Sequence, residues 1–252
     1  MSIRYKTILP LLIGCFVSTL SFGQYEASSW PEFFFGRQPS ARAEAMGKSY
    51  VANTGDLGSV YFNPAAIASI QKTELNTSYT PPGSYLTKGY YLFYGVGYKI
   101  NKHIQIALSR FRFDFGKTQV INAVKRPYEE KNTLTISSEP IKNFQCGINL
   151  NYFVWQPGID EAATTFFFDG GVLKKFSIPI KKANHQSINI GASISNFNYA
   201  KTQPTFNNIN YPYKLPVITR YGACYELNHG RSFLIDSEAV CLVKSKYNRK
   251  DN

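Results

Sequence analysis

Three histidines, four cysteines and a few neighbouring carboxylates are the side chains of this sequence best suited to chemistry. His103, His185 and His229 stand far apart near turn-like stretches, and none has a second His or a Cys at ligand spacing. HExxH, which sets two imidazoles on one helix face around zinc, is absent. Gly191-Ala192-Ser193-Ile194-Ser195 lacks the last glycine of a nucleophile elbow and lies in an alternating, strand-like stretch. Gly95-Val96-Gly97 has no third glycine and no helix after it, so it does not cradle a dinucleotide. Asp160-Glu161 and Glu129-Glu130 read as solvated loop acids, while Asp236 and Glu238 share a strand face and suit a pore lining or a solvated face equally. These patterns lead us to expect no enzyme, no cofactor and no metal.

The cysteines match no zinc or redox spacing. Cys146 and Cys241 fall on apolar strand faces, where a thiol packs as a small hydrophobe. A Cys224–Cys241 bridge is compatible with an oxidising compartment.

The elements that would position these residues are strands. Charged residues make up 17% of the chain and aromatics 15%, with Tyr and Phe dominant, which excludes disorder and fits a pleated surface. The net charge of +12 is spread over the ends of apolar runs, as at Lys72, Lys99, Lys102, Lys142 and Lys182. No basic tract or face gathers it, so a nucleic-acid partner is not expected, whereas strand-end lysines suit anionic lipid headgroups.

Residues 1–23 carry Arg4 and Lys6, an apolar run from Ile8 to Leu20, and Ser21-Phe22-Gly23, which together form a secretory signal cleaved before Gln24. The run is too short for a transmembrane helix. Apolar sequence continues past Cys15, which argues against lipidation there.

Residues 24–72 lack strand periodicity. Ser40–Met46 suits a short helix, and Asn63-Pro64-Ala65-Ala66 a helix start with Asn63 as cap and Pro64 in the first turn. Strands follow over 73–245, and 246–252 form a tail. In 143–154 Phe144, Cys146, Ile148, Leu150, Tyr152 and Val154 alternate with Asn143, Gln145, Gly147, Asn149 and Asn151. That length exceeds the roughly 9–11 residues with which a tilted strand crosses a bilayer, and Trp155 stands at its end as an interfacial aromatic would. Further strands are expected at 89–100, 164–178, 188–194, 217–227 and 233–243. Another runs over 104–115, with a bulge near Arg110 where the pattern changes phase. Residues 117–132 and 201–213 read as long polar loops. Soluble sandwiches also alternate. Strand length, small polar residues opposite the apolar face, strand-end aromatics and the signal together favour a transmembrane barrel.

The stretch Ala41-Arg42-Ala43-Glu44-Ala45-Met46-Gly47, then Tyr50-Val51-Ala52, Asp56, Ser59, Tyr61 and Asn63-Pro64-Ala65-Ala66, resembles the N-terminal signature of FadL-like outer-membrane β-barrels. It is most similar to their PorV/PorQ branch, which is associated with type IX secretion. The resemblance spans about residues 37–245, with Leu215-Pro216, Arg220, Gly222 and Tyr225 and the strand end Ile194–Phe197 as its weaker parts. It implies an all-β, antiparallel transmembrane barrel with an N-terminal plug-like segment at its mouth or lumen. In that segment Arg42, Met46, Gly47, Asp56, Asn63, Pro64 and Ala65 are the signature residues. It implies a place in the outer membrane and a non-enzymatic role in protein secretion or surface attachment, with membrane lipid and secretion components or secreted proteins as partners. An uptake channel for hydrophobic small molecules and a soluble periplasmic binding sandwich are the alternatives. About eight or nine strands are countable, fewer than the family has, so the chain is expected to be truncated and its barrel incomplete.

Overall fold

Alternation of period two builds most of the molecule. The structure is a computed structural model that describes residues 39–81, 89–120, 123–156, 162–178, 185–197, 205–206, 209–210, 217–228 and 232–243. Helix α1 (Ala41–Ala45) comes first, followed by two 3-10 turns, η1 (Leu57–Tyr61) and η2 (Pro64–Ser69). The strands are β1 (Thr73–Thr80), β2 (Tyr90–Lys99), β3 (Ile104–Asp114), β4 (Thr118–Val120), β5 (Ala123–Lys125), β6 (Tyr128–Ile141) and β7 (Phe144–Gln156). They continue as β8 (Ala163–Ile178), β9 (His185–Phe197), β10 (Thr205–Phe206), β11 (Ile209–Asn210), β12 (Val217–Asn228) and β13 (Ser232–Val243). The chain is thus mostly antiparallel β, as expected. One nine-stranded meander runs β1-β2-β3-β6-β7-β8-β9-β12-β13, and β4–β5 and β10–β11 form separate ribbons in two of its connections.

Local chemistry fixes the short turns. Asn101 Oδ1 accepts from the backbone N–H of His103 at 2.8 Å and of Ile104 at 2.9 Å, an Asx-type turn between β2 and β3. Asn143 takes φ +63° between β6 and β7, and its N–H donates to Glu139 Oε1 at 2.7 Å. Ser40 caps α1 by accepting from Ala43 N at 3.3 Å.

The sheet curls around residues 57–65. Leu57 N donates to Glu74 on β1, and its side chain lies over Gly95 and Gly97 on β2. Tyr61 packs edge-on against Phe111 of β3. Ala65, Val60 and Asn63 are held from β6, β7 and β8, and Phe62 from β9 and β12. Laid flat, eight strands about 4.8 Å apart would be some 34 Å wide. Residues 57–65, in 3-10 geometry except at Phe62 and Asn63, extend only about 20 Å. Convergence of eight strands on so short a segment needs a curved, half-barrel wall.

The two faces of that wall have opposite characters. On β7 the segment-facing row is Gln145, Gly147, Asn149, Asn151 and Phe153, all buried. The other face carries Ile148, Leu150 and Tyr152, exposed, with Ile148 at 61%. The same holds along β2, where Tyr94, Val96 and Tyr98 are exposed, and along β6, where Leu134 and Ile136 are exposed opposite Thr133, Thr135 and Ser137.

Three expectations need correction. No bulge interrupts β3, whose register runs unbroken from Ile104 to Asp114 against β6. The apparent phase change arises because the outer positions 110 and 112 hold arginine while the inner positions 111 and 113 hold phenylalanine. Register shifts fall instead between Ser138 and Ile141 and between Phe168 and Gly170. Residues 117–132 are not one loop: β4, β5 and the start of β6 lie there, so Glu129 and Glu130 are strand residues, buried rather than solvated. Finally, Cys241 pairs with Thr219, five residues from Cys224 along β12. That offset is about 17 Å, beyond the roughly 7 Å Cα separation a disulfide tolerates. Asp160, Glu161, His229 and residues 1–23, where a signal is expected, lie outside the described residues.

Candidate functional site

One transverse row of the wall grips the segment residue by residue. Strand pairing sets Ser137 beside Gly147, Gly147 beside Gly171, Gly171 beside Ser193 and Ser193 beside Arg220, across β6, β7, β8, β9 and β12. These five positions meet residues 65 to 61 in reverse order. Ser137 Oγ donates to Ala65 O at 3.1 Å. A Cβ on Gly147 would lie 2.5 Å from the Pro64 carbonyl, and one on Gly171 would lie 2.0 Å from Asn63 Oδ1. Ser193 Oγ donates to Phe62 O at 2.6 Å, and the Arg220 guanidinium lies over the rings of Phe62 and Tyr61 at 5.7 and 6.0 Å. Gly191 makes a further close approach, to Val51 O. Glycine is needed at these positions because the segment's backbone at Gly147 and Gly191, and the Asn63 side chain at Gly171, leave no room for a Cβ.

Asn63 is the pivot of the grip. Its Oδ1 accepts from Ala65 N at 3.0 Å, which caps η2 as expected. Its amide donates to Val51 O at 2.8 Å and Val172 O at 3.1 Å, tying the segment to itself and to β8. Asn63, Val51 and Ala65 are buried, and the two donors and the oxygen of the amide each have a partner within the protein. Pro64 sits at the first position of η2, where its missing N–H costs nothing.

A polar network lies one row further along. Asn149 Nδ2 donates to Val60 O at 2.9 Å and to Asp169 at 3.0 Å, and Asn151 donates to the same Asp169 oxygen at 2.8 Å. Thr135 and Thr133 donate to Oδ1 of Asn149 and Asn151, each at 2.7 Å. Asp169 Oδ1 accepts from Asn196 N at 2.9 Å. Lys131 reaches over the Tyr61 ring at 4.5 Å. Beyond it the segment and wall share an apolar cluster with Tyr50, Phe62, Phe111, Phe113 and Phe153, where Tyr91 stacks on Phe113 at 4.2 Å.

The signature residues nearer the helix form a second group. Asp56 accepts from the Tyr50 hydroxyl and from Arg42 Nη1, the latter at 3.0 Å. Burial, then the hydrogen bond and the charge of Asp56, hold the Tyr50 phenol well above its ordinary pKa. Met46 packs against the apolar cluster, and its Sδ accepts from Asn53 at 3.4 Å. Gly47 takes φ +65° after α1 and belongs to neither group. The structure therefore joins Arg42 to Asp56 and joins Asn63, Pro64 and Ala65 to the wall.

Sequence reasoning missed Ser137, Gly171 and Asp169 in the wall's half of the site, and it named Asn149, Ser193 and Arg220 only as strand-face residues or parts of the resemblance. Glycine and small polar residues opposite an apolar face were the available signal. Their alignment in one row follows from pairing between strands.

The opposite face has its own features. A solvent-open trough of about 750 Å³ is lined there by Leu75, Val96, Leu108, Leu134, Leu150 and Phe166, with Arg110 and Asn132 at one end. Glu130 accepts from Arg110, from Arg112 at 3.3 Å and from Asn132 at 2.8 Å. Among the described residues no group of three or more potential ligands could hold a metal ion. Compared with known proteins, the chain matches no family model and no curated protein.

Proposed function

We propose that this chain forms the wall and plug of an outer-membrane β-barrel of the PorV/PorQ type, non-enzymatic and serving protein secretion or surface attachment. The observation that carries the membrane part is the row of exposed apolar side chains pointing away from the segment, opposite a face that holds Gly, Ser, Thr and Asn beside a buried aromatic cluster. A soluble sandwich needs a second layer over Ile148, Leu150 and Tyr152, which stand exposed. Outer-facing side chains from Phe144 to Val154 span ten residue steps of β7. At about 3.4 Å per step and a tilt near 40°, they cover a height of roughly 26 Å, close to the apolar band of such barrels.

The tight packing of the segment favours an assembly role over an uptake channel. A channel for hydrophobic compounds needs an apolar passage between plug and wall. Here that boundary combines glycine-to-backbone contacts and hydrogen bonds from Ser137, Asn149 and Ser193 with a closely packed aromatic cluster, and the trough lies on the other face. The test is expression of the chain with residues 1–23 followed by fractionation. The membrane reading expects a detergent-extractable, heat-modifiable, protease-resistant species in the outer membrane; a soluble periplasmic product would refute it. Loss of the gene from its host should impair surface display of secreted proteins and leave uptake of hydrophobic compounds unchanged. The reverse pattern would transfer the role to the channel.

A further inference from the structure

The trough on the outer face is apolar over most of its length and charged at one end. Leu75, Val96, Leu108, Leu134, Leu150 and Phe166 line it, and Arg110 is the single charged residue of its lining. Strand register places Arg110 in one row with Tyr94, Asn132, Tyr152 and Phe166, at the edge of the apolar belt. Aromatic residues flanking an apolar belt mark the headgroup level of a membrane. One row further out, Glu130 holds Arg110 and Arg112 together, and Asp114 takes the second arm of Arg112 at 3.4 Å. The carboxylates thus fix the guanidiniums from the polar side. The Arg110 side chain remains 37% exposed, and its buried Nε donates to no protein acceptor.

We propose that the trough is a binding site for one anionic membrane phospholipid, with an acyl chain along Leu108, Leu134 and Leu150 and its phosphate at Arg110. This rests on the membrane reading above. Hydrocarbon is what fills an apolar trough within a bilayer, and a cation at headgroup depth selects a lipid of negative charge. Asn132 adds an amide at the same depth.

The test is reconstitution of the full chain into vesicles of phosphatidylcholine with a minority of phosphatidylglycerol. Gentle detergent release and native mass spectrometry then identify the retained lipid. The wild type should keep one phosphatidylglycerol in preference to phosphatidylcholine. Arg110→Gln should lower that preference about tenfold, the effect of one charge-assisted hydrogen bond. Leu134→Trp, which fills the trough without touching the charge, should expel lipid of both kinds. A chain that inserts and becomes protease-protected, yet retains no lipid or retains the same lipid in both variants, overturns the site and leaves the membrane reading intact. A chain that fails to insert overturns both.

Discussion

The two faces of this sheet obey different rules although one strand supplies both. On the face toward residues 57–65, Gly147 and Ser193 meet the backbone of Pro64 and Phe62 and Gly171 meets the Asn63 side chain, and the pairing register decides which. On the opposite face, Ile148, Leu150 and Tyr152 stand exposed, Tyr152 leaning on the Phe166 ring. The first face is specified atom by atom, because an added methyl has nowhere to go. Under the proposed membrane reading the second is specified only by class, since any apolar side chain of suitable size serves a surface facing fluid hydrocarbon. Substitutions should therefore be unforgiving in shape on one side and in polarity on the other.

The largest effect expected is from Gly147→Val. Its Cβ would overlap the Pro64 carbonyl and the Ala65 amide, so η2 must leave the wall or the strand must bend. A loss of about 3 kcal/mol or more follows, read as a lower unfolding midpoint in detergent. Ile148→Val, one residue away on the other face, should cost under about 1 kcal/mol. Equal losses at the two positions would erase the distinction between the faces.

Leu150→Lys probes the outer face by polarity. If that face meets lipid, the substitution disfavours the membrane-folded state by about 2–4 kcal/mol. If it meets water, the effect falls within about 0.5 kcal/mol. Refolding yield into vesicles, compared with stability in urea, separates the two.

Asn63→Ala leaves Ala65 N, Val51 O and Val172 O without their side-chain partner inside the grip. A loss of about 2–3 kcal/mol is expected, together with faster proteolysis of residues 39–72 and intact outer strands. Cleavage spread evenly over the chain would contradict a locally held segment.

The smallest effect is the titration of Tyr50. Its folded pKa lies above the ordinary value of about 10, so the stabilisation is complete below that pH and is lost as pH rises above it. Tyr50→Phe should cost about 1 kcal/mol at neutral pH and flatten the loss of stability above pH ~10. An unchanged alkaline limb would place the ionisation elsewhere.

How far the molecule could be read from its sequence differs between the same two faces. β7 was legible because six apolar residues alternate with Asn, Gln and Gly over its whole length, and the outer face needs no more information than that. Asn63 and Pro64 were legible as a capped turn because the capping hydrogen bond is local. The row that grips them was not legible, since Ser137 and Ser193 become neighbours of Gly147 and Gly171 only through pairing across β6 to β9. Glu129 misled for a related reason. Two adjacent acids look solvated in sequence, and only tertiary cover buries the first among aromatic neighbours such as Phe113 and Trp155, which pair with it across the strands. Arg110 and Arg112 disguised a regular strand by placing charge on the outer face next to inward phenylalanines.

The central claim, one sheet with a lipid face and a plug face, is tested most directly by single spin labels at each position from Gln145 to Tyr152 except Gly147 in vesicle-reconstituted protein. Collision rates with oxygen and with a water-soluble nickel complex give the environment of each label. The account predicts a period of two, with labels at Cys146, Ile148, Leu150 and Tyr152 accessible to oxygen and shielded from nickel. Labels at Gln145, Asn149 and Asn151 should be shielded from both. Nickel access at Ile148 and Leu150 equal to that of an aqueous loop would contradict it.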